Sequence, residues 1–189
     1  MIKLIVGLGN PGQKYSKTRH NAGFLLLDEL VYSEGVIFSA QSRFFGELAE
    51  LSKGGDKVYL LKPATFMNRS GQAVLAVMKY YKILPEEVLV VHDELDFDPG
   101  VLKLKLGGGH GGHNGLRDII AAIGSRNFLR LRVGIGRPQG SQAVADYVLS
   151  DFSRFDFELV ISKFSGFLSL VPLLLVGDSE SAMHKLHSQ

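Results

Sequence analysis

The residues that could carry chemistry are concentrated in four short, glycine-punctuated segments. Together these segments offer imidazoles, a well-placed aspartate and carboxamides, and the chain contains no cysteine. Each segment follows a run of residues typical of a β-strand, and sites are commonly built where the chain leaves strands of an α/β sheet. This inventory favours a hydrolase that activates water over one that forms a covalent intermediate. The segments are 7–21, 62–68, 91–96 and 107–114.

His20 is the candidate general base. It lies at a predicted helix start, where a histidine could equally be a surface residue. Asp93 directly follows a buried apolar run, and its carboxylate could orient an imidazole and stabilise the protonated form. No serine or cysteine stands in a nucleophile-elbow context, so such a pair would have water to activate. The sequence leaves open three alternatives to Asp93, namely Glu94, Asp96 and Asp98.

Three asparagines, Asn10, Asn68 and Asn114, lie just beyond predicted strands or at helix starts. Asparagine is common there because it suits turns and helix caps. A carboxamide can also bind the N–H and C=O groups of a peptide backbone or polarise a carbonyl. Phe66 and Met67 are apolar residues in a polar loop, and they could be core anchors or the wall of a pocket.

Two other kinds of site need consideration. Gly7 to Gly12 matches the G-x-G-x-x-G dinucleotide fingerprint, but Pro11 lacks the amide proton that a pyrophosphate would need, and Asp28 lies within a helical run. A zinc site could use His92, His110 and His113 with Asp93. Its H-x-x-H spacing in a glycine-rich loop is not that of known helical zinc motifs. We therefore expect neither a cofactor nor a metal.

Length and composition predict one domain spanning residues 1–189. The absence of cysteine excludes disulfides and thiolate chemistry and fits a cytoplasmic location. The first residues, MIKLIVG, are predicted to be a strand and not a signal peptide. Residues 159–176 are apolar, but they include Lys163 and Pro172, and their helical spacing predicts a packed C-terminal helix instead of a membrane span.

Positive charge is unevenly distributed, although the net charge is only +2. Lys103 and Lys105 alternate with apolar residues, so both are predicted on one face of a strand. A local basic stripe of this kind could bind a phosphate backbone or could be an ordinary solvated face. Its members in the second half of the chain are Lys103, Lys105, Arg117, Arg126, Arg130, Arg132 and Arg137.

Hydrophobic periodicity predicts an α/β fold with a central mixed β-sheet flanked by helices. A hairpin is expected around Gly54 and Gly55, and Ser70 is expected to cap a helix. The predicted strands are 2–8, 44–51, 57–61, 88–91, 101–106 and 128–135. The predicted helices are 21–32, 70–82, 114–123 and 143–149, with further helix in the C-terminal region.

Five motifs, in this order and spacing, resemble the bacterial peptidyl-tRNA hydrolase family: GLGNPG followed by TRHNAG, KPATFMNRSG, VHDELD, GGGHGGHNGLRDI and RLRVGIGRP. The resemblance extends from about residue 3 to Leu149. It implies a monomeric α/β enzyme that needs no metal. The implied activity is hydrolysis of the ester bond between a peptide and tRNA, without a covalent intermediate, so that the tRNA returns to translation.

The resemblance also implies roles for individual residues. His20 corresponds to the family's catalytic base and Asp93 to the carboxylate that orients it. The expected partner is the acceptor end of peptidyl-tRNA, with no membrane and no obligate protein partner. Two rival hypotheses stay open, a dinucleotide-binding enzyme and a non-catalytic RNA-binding module. Residues expected to hold the peptidyl group or line the cleft are Asn10, Tyr15, Phe66, Met67, Asn68, His113 and Asn114. Residues expected to bind the tRNA 5′-phosphate are Lys103, Lys105 and Arg132.

Overall fold

Parallel strands form the centre of the sheet, and antiparallel strands complete its two edges. The computed structural model describes residues 1–53 and 55–189. Its strands are β1 (Leu4–Gly7), β2 (Ser39–Gln41), β3 (Gly46–Lys53), β4 (Asp56–Pro63), β5 (Val88–Glu94), β6 (Leu102–Leu106) and β7 (Leu129–Gly134). They lie in the order β2-β3-β4-β1-β5-β7-β6, in which β4, β1, β5 and β7 are parallel. The predicted α/β fold with a mixed sheet is confirmed.

Helices cover both faces of this sheet. Along β1 the residues alternate between the two faces: Ile5 packs with α1 and the C-terminal helices, and Leu4 and Val6 pack with α2 and α3. Because both faces are covered, the central strands are apolar throughout, which explains the strong strand signal in the sequence. The helices are α1 (Ala22–Glu34), α2 (Ser70–Tyr81), α3 (Asn114–Ile123), α4 (Val144–Val148), α5 (Arg154–Leu168), α6 (Val171–Leu175) and α7 (Ser179–His187).

Two glycines allow the start of α1 to approach the carboxyl ends of β1 and β5. A Cβ atom on Gly23 would overlap the backbone nitrogen of Leu8 and the carbonyl oxygen of Val91, and one on Gly7 would overlap the carbonyl of Gly23. Only glycine permits so close a backbone approach. The glycine segment therefore serves helix packing, and Gly12 is followed by a 3-10 turn where the dinucleotide fingerprint requires an α-helix.

Some element boundaries differ from the prediction. β5 continues through Glu94, so the VHDE segment is part of the strand. Ser70 is the first residue of α2 and not its cap, and its hydroxyl donates to the carbonyl of Met67 at 2.7 Å. Both arms of the hairpin are present as β3 and β4, and Gly54 lies outside the described residues. The exposed strand β2 was not predicted because it has no apolar alternation.

The apolar C-terminal region forms two helices instead of one. α5 ends at Leu168 and α6 begins at Val171, with Pro172 in its first turn, where proline is tolerated. Phe164 and Phe167 are buried against the sheet, as the helical spacing predicted. Within residues 1–53 and 55–189, no helix combines the length and the apolar character needed to cross a membrane.

Candidate active site

His20 and Asp93 form a buried pair. His20 lies in the short 3-10 turn before α1, and Asp93 is the second-last residue of β5. Nδ1 of His20 lies 2.9 and 3.0 Å from the two carboxylate oxygens of Asp93. The side chains are 11% and 3% exposed. Of the alternative carboxylates, Glu94 and Asp96 form ion pairs with arginines instead.

The surroundings of His20 and Asp93 shift the pKa of each side chain. Burial alone would raise the pKa of the Asp93 carboxyl, but His20 and His113 hold it well below its usual range. Burial lowers the pKa of His20, and the charge and hydrogen bond of Asp93 more than reverse this, so the pKa lies above the ordinary 6.5. Because Asp93 is a carboxylate, Nδ1–H of His20 donates to it, and Nε2 keeps the lone pair that a general base requires.

His113 is the second imidazole on the same carboxylate. Its Nε2 lies 2.8 Å from Oδ1 of Asp93. Its Nδ1 caps α3, accepting from the backbone N–H groups of Gly115 at 3.1 Å and Leu116 at 3.3 Å. Since Nδ1 accepts, we assign the ring proton to Nε2, which donates to Asp93. Asp93 thus receives hydrogen bonds from elements on both faces of the sheet.

A third histidine, His92, lies beneath His113, with ring centroids 5.2 Å apart. Its Nδ1 is 2.8 Å from the carbonyl oxygen of Asp93, which can only accept, so Nδ1 carries the proton. Its Nε2 is buried and has no hydrogen-bond partner among the described residues. Burial, and to a smaller extent the neighbouring His113, lower the pKa of His92 to about 3, so this ring is neutral at physiological pH.

The cluster of His20, Asp93 and His113 does not fit a metal. Ligand atoms of the three residues lie within 4.8 Å of one another, and nitrogen and carboxylate oxygen are ligands that zinc accepts. A metal-bound histidine normally donates its other ring N–H to an acceptor. With a metal on Nε2, Nδ1 of His113 would carry the proton and point it at two backbone N–H donors. This cap geometry argues against metal binding.

Asn10 is fixed by a network that the sequence analysis did not identify. Its backbone N–H donates to Oδ1 of Asn21 at 2.9 Å, and Nδ2 of Asn21 donates back to the Asn10 carbonyl at 3.0 Å. The side-chain Oδ1 of Asn10 accepts from the backbone N–H of Met67 at 2.8 Å. Both Nδ2 hydrogens of Asn10 remain free within the described part of the chain. The sole sequence signal for Asn21 is its place beside His20.

The other predicted cleft residues differ in accessibility. Met67 is 4% exposed and is a core anchor, whereas Phe66 is 60% exposed and is free to form a pocket wall. Tyr15 is half-buried, and Asn68 is exposed. Asn114 begins α3, is exposed, and its Oδ1 accepts from Arg117 at 3.1 Å.

A cavity of about 730 Å³ opens beside the His20–Asp93 pair. Its lining includes His20, Asp93, His113 and Asn114. The other predicted cleft residues, namely Asn10, Tyr15 and residues 66–68, do not line it. The cavity is lined by both charged and apolar side chains, as is usual for sites that bind polar ligands. The charged residues include Glu94, Lys105, Arg132 and Arg137, and the apolar residues include Leu95, Val144 and Val148.

The predicted phosphate-binding residues share one face of the sheet. In the β6–β7 ladder Lys103 is opposite Arg132, so the two side chains emerge together. The guanidinium of Arg132 is already occupied: it donates to Glu94 at 2.6 and 2.7 Å and lies 4.4 Å from the centre of the Phe97 ring. Neither Lys103 nor Lys105 has a carboxylate partner within the described part of the chain.

Arg130, another member of the basic stripe, is not available to phosphate. It is 3% exposed, and its terminal nitrogens donate to the carbonyl oxygens of Gly108 and Gly109. Arg130 thereby fastens the glycine-rich loop that leads to His113. Arg130 lies two residues from Arg132 in β7 and so shares its face of the sheet, and the sequence gave no sign of its buried partners.

Known proteins resemble this chain along its whole length. A family model described as Peptidyl-tRNA hydrolase matches residues 4–189, so the likeness continues beyond Leu149, where the sequence motifs had ended it. The peptidyl-tRNA hydrolase of Methylococcus capsulatus is 54% identical over 187 residues, 99% of this chain and 100% of that protein. The one from Pseudomonas aeruginosa is 52% identical over 189 residues, with coverages of 100% and 97%.

Comparison with solved structures identifies the same family of proteins. The crystal structure of peptidyl-tRNA hydrolase from Acinetobacter baumannii superimposes with a TM-score of 0.93 at 46% identity. The match covers 98% of this chain and 94% of that chain. The chain therefore belongs to the peptidyl-tRNA hydrolase family.

Proposed function

We propose that the protein hydrolyses the ester bond between the peptide and the tRNA of peptidyl-tRNA, using water activated by His20 and no covalent intermediate. The observation that carries this proposal is the His20–Asp93 pair. Both oxygens of a buried carboxylate hold Nδ1 of His20, so Nε2 is the one free acceptor of the ring. A free, oriented imidazole nitrogen beside a cavity is suited to take a proton from water.

The proposed reaction balances with this one base. Nε2 of His20 takes a proton as the water oxygen attacks the ester carbonyl carbon, and Asp93 stabilises the imidazolium that forms. When the bond between the carbonyl carbon and the ribose oxygen breaks, the imidazolium returns its proton to that oxygen. An alkoxide is a better leaving group than an amine, so the step does not need a metal. The products are a tRNA with a free hydroxyl and the carboxylic acid of the peptide, which then releases its proton to solvent.

The carboxamides suit different parts of this substrate. The oxygen of Asn10 already accepts from Met67 while both Nδ2 hydrogens are free, so its amide nitrogen is suited to donate to an ester carbonyl and its developing oxyanion. The oxygen of Asn114 accepts from Arg117, and its amide nitrogen is likewise free to donate. Asn68 is exposed, and both ends of its carboxamide can pair with a peptide backbone. Tyr15 and Phe66 would contact the peptide.

The distribution of positive charge supports a tRNA site on the side of the His20–Asp93 pair that faces away from the proposed peptide-binding residues. The cavity beside His20 carries Lys105, and Lys103 emerges from the same strand face. Together with Arg132, which would share its charge with Glu94, these side chains would bind a terminal phosphate without reading base sequence. One chain supplies every group in this mechanism, so we propose a monomer acting in the cytoplasm without a cofactor.

The test is hydrolysis of N-acetyl-aminoacyl-tRNA by the purified protein, scored as free tRNA with and without EDTA. We expect cleavage in both conditions, and His20→Ala should reduce the rate by about 10²–10⁴-fold, the usual effect of removing a general base. Asp28→Asn, an exposed substitution on α1, is the control. Binding of tRNA without cleavage would indicate an RNA-binding module, and a fluorescence change on adding NADPH would indicate the dinucleotide alternative.

A further inference from the structure

We infer that His113 is a positioning residue: it holds the Asp93 carboxylate in the orientation that serves His20, and it does not contact the substrate. The inference rests on the proposed function, since it assigns a role within that catalytic pair. It differs from the expectation drawn from sequence, in which His113 lines the cleft as a substrate contact.

His113 has no hydrogen-bonding group left for a substrate. Nε2 donates to Asp93 at 2.8 Å, and Nδ1 accepts from two backbone N–H groups, of Gly115 and Leu116. The side chain is only 10% exposed. A substrate atom could bind this imidazole only by displacing the carboxylate or uncapping α3.

Two other imidazole rings and the start of α3 lie against the ring of His113. Its centroid lies 5.0 Å from that of His20 and 5.2 Å from that of His92. A Cβ atom added to Gly115 would come within 3.1 Å of Cε1 of His113, so the backbone of α3 also limits its movement. A ring confined in this way can transmit the position of α3 to the carboxylate.

The Asp93 carboxylate is shared by the two imidazoles. Its Oδ1 accepts both from Nδ1 of His20 at 2.9 Å and from Nε2 of His113 at 2.8 Å. The two donors belong to different segments of the chain, and together they limit the rotation of the carboxylate about its Cβ–Cγ bond. Each donor also interacts with part of the carboxylate charge. Other ionisable groups next to the cluster include Glu94, which lines the same cavity, His92, which donates to the Asp93 carbonyl, and Arg130.

Two substitutions separate the two hydrogen bonds of His113. In His113→Asn the side-chain oxygen can replace Nδ1, because asparagine is a preferred N-cap, but the side chain is too short to reach Asp93. In His113→Gln the amide nitrogen can replace Nε2 as the donor to Asp93, and the cap is lost. The first variant therefore tests the positioning role, and the second tests the cap.

For His113→Asn we expect an unchanged Tm, an unchanged KM and a kcat lowered about 10–100-fold, the range for losing a hydrogen bond to a charged group. For His113→Gln we expect a lowered Tm and a kcat closer to that of the wild type. The pH profile gives a further readout. Without His113 the Asp93 charge acts on His20 alone, so the pKa of His20 should rise and the acidic limb of kcat/KM should move to higher pH.

His184→Asn, an exposed substitution on α7, is the matched control and should change none of these quantities. A raised KM with unchanged kcat in His113→Asn would make His113 a substrate contact and overturn the inference, and so would wild-type activity with an unshifted profile. NMR titration of the His20 ring tests the inference without turnover: an unshifted His20 pKa in His113→Asn would also overturn it. If the wild type fails to cleave the ester, the proposed function fails, whereas a shifted titration would still support the role of His113.

Discussion

Replacing Asp93 with asparagine should do more than remove a charge. The carboxylate accepts from two donors, Nδ1–H of His20 and Nε2–H of His113. A carboxamide has one accepting oxygen and one donating nitrogen. With the oxygen in the position of Oδ1, the amide nitrogen occupies the position of Oδ2, 3.0 Å from Nδ1 of His20. Two donors would then face each other.

A change in the tautomer of His20 would relieve this clash at the lowest cost in free energy. If the proton of His20 moves to Nε2, Nδ1 can accept from the new amide, but Nε2 then has no lone pair for water. The rate also loses the attraction between the carboxylate and the imidazolium, about 4 kcal/mol for charges about 4 Å apart at an effective dielectric of about 20. That energy corresponds to about 10³ in rate, and the wrong tautomer adds to it. We expect Asp93→Asn to lose about 10³–10⁴-fold in kcat.

The assay is hydrolysis of N-acetyl-aminoacyl-tRNA at saturating substrate from pH 5 to pH 9. Without the carboxylate, burial is left to lower the pKa of His20, so any residual activity should have its acidic limb at lower pH than in the wild type. This is opposite to the shift expected for His113→Asn. The double variant His20→Ala, Asp93→Asn should be scarcely slower than either single variant, because the two residues act as a unit.

Two results would refute this reasoning. If Asp93→Asn retains more than about a tenth of the wild-type kcat, the carboxylate neither fixes the tautomer nor stabilises the imidazolium. If kcat is unchanged and KM rises, Asp93 acts in binding instead. Asp28→Asn, which removes an exposed carboxylate on α1, should remain at wild-type levels and controls for a general effect of charge.

Three further predictions concern binding, packing and stability. Lys105→Glu should raise KM for full tRNA substrates, less so at high salt, and should leave cleavage of a peptidyl ester of a terminal adenosine almost unchanged; slower cleavage of both would contradict a phosphate role. Gly23→Ala should lower the free energy of unfolding by about 1–3 kcal/mol, measured with urea, because the new Cβ overlaps the backbone of Leu8 and Val91. His92 has a pKa of about 3 when folded and 6.5 when unfolded, so its contribution to stability is lost as pH falls below 6.5. The free energy of unfolding should therefore fall by about 2 kcal/mol less between pH 7 and pH 5 in His92→Asn than in the wild type.

The fold could be predicted from sequence wherever one physical signal dominated. Central strands buried on both faces gave apolar runs, and the alternation in β6 and β7 assigned each residue to the correct face. The boundary of β5 was missed because the strand ends in polar residues, His92 to Glu94, whose burial depends on contacts with distant segments. β2 was missed because its three residues are mostly exposed and pair only with β3.

The candidate site was predictable in its residue types but not in its connections. The sequence singled out His20, Asp93 and His113, and the structure places them in one cluster. The sequence gave no sign that His113 would bond the Asp93 carboxylate or that Asn21 would bond Asn10, because each of these hydrogen bonds joins residues that meet only in the folded chain. Arg130 was predicted only as a member of the basic stripe, and the sequence gave no sign of its carbonyl partners.

The hydrogen bonds to Asp93 require α1 and α3 to pack close to the end of the sheet. One donor to its carboxylate precedes α1 on one face of the sheet, and the other precedes α3 on the opposite face. Each of these helices has a glycine in its first turn whose missing side chain leaves room for the contact: Gly23 lies against the strand backbone, and a Cβ on Gly115 would lie 2.6 Å from the sulfur of Met67. A methyl group at Gly23 would meet strand backbone, so we expect Gly23→Ala to shift the start of α1 and with it the contact between His20 and Asp93. Because the proposed function requires that contact, Gly23→Ala should reduce activity at temperatures where the protein is still folded.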